Sequence, residues 1–391
     1  MPHERKRYLL SSFLKKTKLW PVVGLLGARQ TGKSTLLRDQ LIDRLKAKYL
    51  LLDRKSLQVQ ATKAPEHFIK SNSNNLKTPL ILDEVQKAAE LFDAIKAEVD
   101  ENRIPGRFLL SGSTEFSSRT GIRESLTGRI GISYLYPFTL GESLQLDFAA
   151  PWVSMKAKIR CQPSDVDHYI ERGGMPGACF LRSEVERKSY YDGWLDTTCY
   201  RDLQQIKGTK LDGALALDIL YTLARLEKPT LSELKKKLRV DSRKLLKHLE
   251  GLESLFILHT IGSHPLGIGK THYLVFDCGL LNHLGASTEM CRRVWATNEC
   301  LAQFEYSGLA RPKLNYYEST KHAFIPLIID DRKTERAVLI SDEEAPNPFA
   351  LRALTSFGLK SKETELYVLA PVRESSRDSH GIRYLPWTAM V

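Results

Sequence analysis

Gly27-Ala28-Arg29-Gln30-Thr31-Gly32-Lys33-Ser34 follows an apolar run at 22–26 and leads into a helical pattern at 33–48. The segment fits GxxxxGK[ST] at every fixed position, between a strand and a helix, which is the setting this pattern needs. Its glycines let the backbone curl until successive N–H groups and the following helix start face one anion. Lys33 then brings a point charge to the β- and γ-phosphates of ATP, Ser34 offers a hydroxyl to Mg2+, and Thr35 completes the turn. The plainer alternative, a glycine turn that only caps a helix, leaves the lysine and the serine at these spacings without a reason.

Working outward, 79–82 is an apolar strand that ends in Asp83-Glu84. A carboxylate pair at a strand end is by itself more often a cap. Downstream of a phosphate loop, Asp83 is expected in the magnesium shell, with Glu84 polarising the attacking water. The next apolar run ends in Leu110-Ser111-Gly112-Ser113, which makes Ser111 a candidate sensor of the γ-phosphate, against a simple turn serine. Arg119, Arg123 and Arg129 crowd the polar stretch beyond it. Arg129 is the candidate for neutralising charge on the transferring phosphoryl group, in cis or from a neighbouring subunit.

Strands are read at 22–26, 49–52, 80–82, 108–110 and 132–135, with helical segments between them, as in a parallel sheet covered by helices. At 391 residues the chain exceeds one ordinary core, so several domains are expected. Composition is that of a globular chain, with 42% hydrophobic and 27% charged residues. A formal charge of +12 suits a polyanionic partner but also a soluble basic protein. The six cysteines form no CxxC pair and no secretory leader is read ahead of them, so a cytoplasmic location is expected. Apolar runs are far shorter than the ~20 residues a bilayer demands, so no membrane partner is expected.

The 8–14 segment between basic clusters reads as an amphipathic helix with a solvated basic face, and 145–164 reads as a connector. From 208 onward three short helical patterns, at 213–226, 231–238 and 241–255, precede strands at 256–261 and 272–276. Three helices and a hairpin make a winged helix-turn-helix plan. On it Arg239, Arg243, Lys244 and Lys247, with His248 beside them, are candidate DNA contacts, and His264, Lys270 and His272 would line the wing. The alternative is a unit that only joins protein domains. A helix near 290–306 and strands near 315–317, 323–329, 337–340 and 366–369 complete the chain.

These residues resemble a family of prokaryotic AAA+ ATPases related to the signal-transducing (STAND-type) ATPases, which carry a C-terminal domain of endonuclease-like fold. The resemblance rests on 26–34, Leu82-Asp83-Glu84-Val85-Gln86, Leu110-Ser111-Gly112-Ser113, 124–129, Gly173-Gly174-Met175-Pro176 and Tyr200-Arg201-Asp202. It implies an α/β chain: a P-loop NTPase core of AAA+ type at 1–150, a helical lid at 151–207, a winged helix at 208–281 and a degenerate restriction-endonuclease-like domain at 282–391. It also implies that Gly174-Met175-Pro176 reads the nucleotide state, with Pro176 in the binding set, in place of an ordinary helix-breaking turn. Restriction-endonuclease chemistry needs an acidic residue on one strand and acid-x-lysine on the next. The corresponding strands, 323–328 and 337–341, put apolar residues where these would stand, so this domain is expected to bind or scaffold and not to cut, with Asp330, Asp331 and 342–344 left in solvated turns.

The expected function is a Mg2+-dependent ATPase that couples ATP binding and hydrolysis to conformational change at DNA, with ATP and ADP as ligands and Arg129 acting either in cis or, in a homo-oligomer, in trans. A slow-hydrolysing, nucleotide-gated regulator or scaffold for a protein partner is the alternative. A small-molecule kinase and a nuclease rank below both.

Overall fold

The computed structural model describes residues 5–73, 77–115, 126–156, 158–206 and 210–391. They form two compact units: 7–136 together with 254–256, and the remainder, comprising 1–6, 137–253 and 257–391.

In the first unit, β1 (Val22–Leu26), β2 (Lys48–Leu51), β3 (Leu80–Asp83), β4 (Phe108–Gly112) and β5 (Ile130–Tyr134) make one sheet in the order β2-β3-β4-β1-β5. All neighbours run parallel. A parallel sheet needs crossovers that cover its faces, and β1, β3 and β4 are accordingly buried along their whole length. Leu91, Ile95 and Val99 of the Leu91–Glu101 helix pack on this sheet with Val22, Leu80, Leu82, Phe108 and Leu110. Parallel register has one consequence for chemistry. Leu25 faces Ser111 and Leu82 faces Leu110, so the carboxyl ends of β1, β4 and β3 emerge side by side along one edge.

The second unit carries a mixed sheet of eight strands, in the order β12-β13-β11-β10-β9-β8-β6-β7. These are β6 (Leu258–Ser263), β7 (His272–Val275), β8 (Lys313–Glu318), β9 (Phe324–Asp330), β10 (Glu335–Ile340), β11 (Glu365–Ala370), β12 (Ser376–Arg377) and β13 (Arg383–Pro386). The three helices ahead of the hairpin are Gly213–Ala224, Leu231–Leu238 and Ser242–Ser254. Beyond it, Thr288–Tyr306 and Pro348–Lys360 cover the strands, the latter through Leu354 and Phe357.

The wing expected at 262–272 is part of this sheet and is not a free hairpin. Gly262 and Ser263 of β6 pair in parallel with Asn315 and Tyr316 of β8, so the sheet runs unbroken from β6 into the strands expected to form a separate last domain. His272 is fully buried and stacks on Tyr316 at 3.8 Å, and His264 is buried against Phe357 and Glu335. Both are removed from the expected phosphate-facing set, which leaves Lys270 exposed. The connector at 145–164 also holds a helical turn, Pro151–Ser154, with Trp152 buried.

Candidate functional site

The phosphate loop leaves β1 at Gly27, whose φ of 155° and near approach to the Leu135 carbonyl exclude a side chain: an added Cβ would lie 2.3 Å from that oxygen. Gln30 and Gly32 take left-handed conformations at φ 63° and 97°, which turn the chain into the helix beginning at Lys33. Ala28 and Thr31 are buried, Arg29, Gly32 and Ser34 are half-buried, and Gln30 and Thr35 are exposed. The Thr31 hydroxyl donates to the Ala28 carbonyl at 2.9 Å. Buried Arg7 ties the loop to the end of β5, donating to the Thr31 carbonyl at 2.7 Å and to that of Tyr136 at 2.6 Å. The sequence placed Arg7 in a solvated basic cluster; its role shows only once the loop is folded against it.

The Lys33 ammonium lies inside the loop, donating to the carbonyls of Gly27 at 2.9 Å and Ala28 at 2.8 Å. Burial pulls its pKa below 10.5, while Glu84 and Asp83 pull the other way. Those carboxylates therefore share the electrostatic environment of the lysine.

Asp83 is fully buried at the end of β3, where it accepts the hydroxyl protons of Tyr49, at 2.5 Å, and of Ser111. The tyrosine arrives from β2 and the serine from β4, so neighbours on both sides hold one carboxylate. Burial, then the bond to Asp83, raises the Tyr49 pKa and keeps the phenol a donor. Each carboxylate oxygen has lone-pair capacity beyond one hydroxyl, so Asp83 can still accept from metal-bound water.

Glu84 takes a left-handed conformation, φ 59° and ψ 43°, which is uncommon outside glycine and asparagine. Its N–H donates to Asp83 at 3.1 Å and to the Ser111 hydroxyl at 3.3 Å. Its carboxylate accepts from the Gln86 side-chain amide and from the Ser113 hydroxyl at 3.3 Å, while Gln86 also reaches Ser113 at 3.0 Å. Gln86 and Ser113 were visible in the sequence only as neighbours of Glu84 and Ser111.

Loop, Lys33, Asp83, Glu84 and Ser111 thus gather on one edge. Arg129 does not join them. It precedes β5 at the opposite edge, its carbonyl accepting from Val22 at the start of β1, about 16 Å away for five residues of strand. There it forms a two-point pair with Asp100, at 2.6 and 2.9 Å. The cis role considered for Arg129 is thereby corrected: strand direction carries it away from its own chain's phosphate edge. Arg119 and Arg123 lie outside the described residues.

Pro176 belongs to the second unit, half-buried after buried Met175. Gly174 holds this turn in place: its carbonyl accepts from Phe138 at 2.7 Å, and its N–H donates to Asp277 at 2.8 Å. Asp277 also caps the helix Cys278–His283 through Leu280 and receives the Tyr191 hydroxyl at 3.1 Å. Burial raises its pKa against four hydrogen bonds that lower it.

Arg239, Arg243, Lys244 and Lys247 are all exposed. His248 is corrected out of their company. It is buried, its Nδ1 on the Lys244 carbonyl at 2.7 Å and its Nε2 accepting from the Asp212 N–H at 2.9 Å.

Asp331 is corrected too. It is only partly exposed, accepting from Lys333 and Thr334 and pairing with Arg336 at 3.0 Å. Among the described residues no three His, Cys, Asp or Glu side chains gather as metal ligands, and no helix is long and apolar enough to cross a membrane.

Residues 20–144 match the model of a family described as an AAA domain, and 163–290 match that of a domain of unknown function, DUF8612. Two uncharacterized proteins, of Mycobacterium bovis and Mycobacterium tuberculosis, are each 27% identical over 313 residues, 77% of this chain and 65% of theirs. The chain thus spans about two thirds of the length of these relatives. Among solved structures, a Walker-type ATPase of Pyrococcus abyssi is similar over 71% of this chain and 94% of its own, at 15% identity and TM-score 0.45. A STAND protein of Pyrococcus horikoshii with a tetratricopeptide repeat sensor is similar over 78% and 47%, at 12% identity and TM-score 0.30.

Proposed function

We propose that this chain, whose residues 20–144 match the model of an AAA domain, binds and hydrolyses ATP and uses the cycle to change its conformation at DNA. The observation that carries the reading is the shared edge on which the loop 27–34, Asp83, Glu84 and Ser111 meet, placed there by parallel register. Gly27 to Thr35 present main-chain N–H groups to the phosphates. Lys33 exchanges the carbonyls of Gly27 and Ala28 for phosphate oxygens, which relieves its burial. The residues present fit Mg2+: the Ser34 hydroxyl and Asp83 would hold it, and when bound it neutralises charge between the β- and γ-phosphates. Ser111 keeps Asp83 aimed, and Glu84 orients a water in line and accepts its proton, leaving ADP and phosphate.

In this reading Pro176 reports the nucleotide state through a turn held by Asp277, and Arg129 completes the site of a second subunit. Exposed Arg239, Arg243, Lys244 and Lys247 meet DNA phosphates. ATPase rate against protein concentration, with and without duplex DNA, for the parent and Glu84→Gln tests it. Turnover per subunit that rises with concentration supports a trans Arg129, and stimulation by DNA supports the coupling. Turnover unchanged in Glu84→Gln overturns the assignment of the base.

One observation favours the slower regulator. Gln86 and Ser113 both engage the Glu84 carboxylate, so the base leaves two donors before it meets water. Turnover that accelerates in Gln86→Ala would identify this grip as a brake.

A further inference from the structure

The second unit contains a cavity of about 750 Å³ that the ATPase reading does not use. One wall is Phe324, Pro326 and Ile340, on the strands where a nuclease of this fold would need carboxylates. Cations also line it: Arg225, Arg293 and Lys228, the last paired with Glu318. Gly285 to Ser287 also line it, leading into the nineteen-residue helix Thr288–Tyr306. The beginning of such a helix carries roughly half a positive charge and unshared N–H groups.

Arg293 is the telling residue. It is 4% exposed and forms no ion pair among the described residues. Its Nε donates to the Pro326 carbonyl at 3.2 Å and its Nη2 lies 3.2 Å from His272 Nδ1, but its Nη1 is buried without any hydrogen-bond partner. Its ring neighbours, Phe324 at 5.4 Å and Tyr316 at 5.8 Å, supply cation–π contact and no counter-charge. Burial pushes its pKa down to about 10, against smaller opposing pulls from Tyr316 and Glu289. A buried guanidinium with an unused donor is costly unless something anionic meets it.

We infer that this cavity is a binding site for a small phosphate ester of mononucleotide size, its phosphate held by Arg293 and Arg225 at the start of helix Thr288–Tyr306, with Lys228 leaving Glu318 to join them, and its organic part against Phe324, Pro326 and Ile340. A lone carboxylate would satisfy one arginine fork, whereas two arginines and a helix start suit the several oxygens of a phosphate. The volume lies within the ordinary range for small-ligand pockets. Glu227 and Glu289, also in the lining, disfavour a nucleic-acid strand or a polyphosphate, so the site is distinct in kind from the basic helix. The inference does not depend on the ATPase reading.

The test uses the full chain carrying Lys33→Ala, so that the phosphate loop contributes little, in calorimetric titrations with AMP, UMP, ribose 5-phosphate and inorganic phosphate. At least one ester is expected to bind at a single site more tightly than inorganic phosphate, which cannot use the apolar wall. Arg225→Ala, an exposed change that spares the core, is expected to weaken it about tenfold, and Arg293→Met at least as much. Absence of binding by all three esters overturns the proposal. So does binding that Arg225→Ala leaves unchanged, whether or not Arg293→Met folds.

Discussion

The two sheets of this chain spend their strand ends differently. In the five-stranded sheet, β1, β3 and β4 finish in Gly27, Asp83-Glu84 and Ser111, polar groups that parallel register brings to one edge. In the eight-stranded sheet, β9 and β10 present Phe324, Pro326 and Ile340, all apolar, to a cavity. Both sheets gather side chains near strand termini. What separates them is a few side chains, so fold supplies the location and residue identity supplies the chemistry.

The strongest way to break this contrast is Glu84→Gln. If the first edge holds the general base, phosphate release falls about 10²–10⁴-fold while ATP affinity survives; a loss under threefold would make the two sheets equally inert. Glu299 sharpens the other side. This carboxyl on helix Thr288–Tyr306 is buried, accepts from the Leu140 N–H at 2.6 Å, and is pushed by burial from 4.5 to about 8. A raised carboxyl pKa means the folded state holds its proton longer than the unfolded one. The stability that Glu299 contributes is therefore full below about pH 4.5 and is lost as pH rises through about 8. Glu299→Gln should flatten that decline, worth on the order of a few kcal/mol, as followed by urea unfolding at pH 5 and pH 8; parallel pH profiles for the two proteins would refute it.

Tyr49→Phe removes one of the two hydroxyls on Asp83 at little cost in packing. About a fivefold rise in the magnesium concentration for half-maximal turnover is expected, equivalent to one hydrogen bond of ~1 kcal/mol. An unchanged magnesium dependence would reduce the tyrosine to a packing role. The smallest effect belongs to the basic helix. Lys247→Ala should lower the slope of log affinity for duplex DNA against log salt by ~0.9 and weaken different sequences alike. A variant with the parent's slope would remove Lys247 from the phosphate-contacting set.

Most of the first sheet was legible because its signals are local: apolar runs bounded by turns, a glycine loop of fixed spacing, carboxylates directly after a strand. The helix at 9–17 and the strands β8 to β11 were legible for the same reason. Long-range partners were not. Nothing near Arg7 says that it will reach Thr31 and Tyr136, and nothing in 262–272 says that β6 will pair with β8 and bury two histidines. Tyr49 on Asp83 is another such case, 34 residues apart in sequence. The helix Pro348–Lys360 did carry a signal: Asn347 caps it with its side chain and proline occupies its first turn. Arg129 misled because sequence distance from Ser111 is short, while strand direction reverses its place in the sheet.

The splice of β6 onto β8 has a mechanical corollary. Backbone hydrogen bonds run from β7 through to β12, so parting the hairpin from the terminal strands would require breaking the pairs Gly262–Asn315 and Ser263–Tyr316.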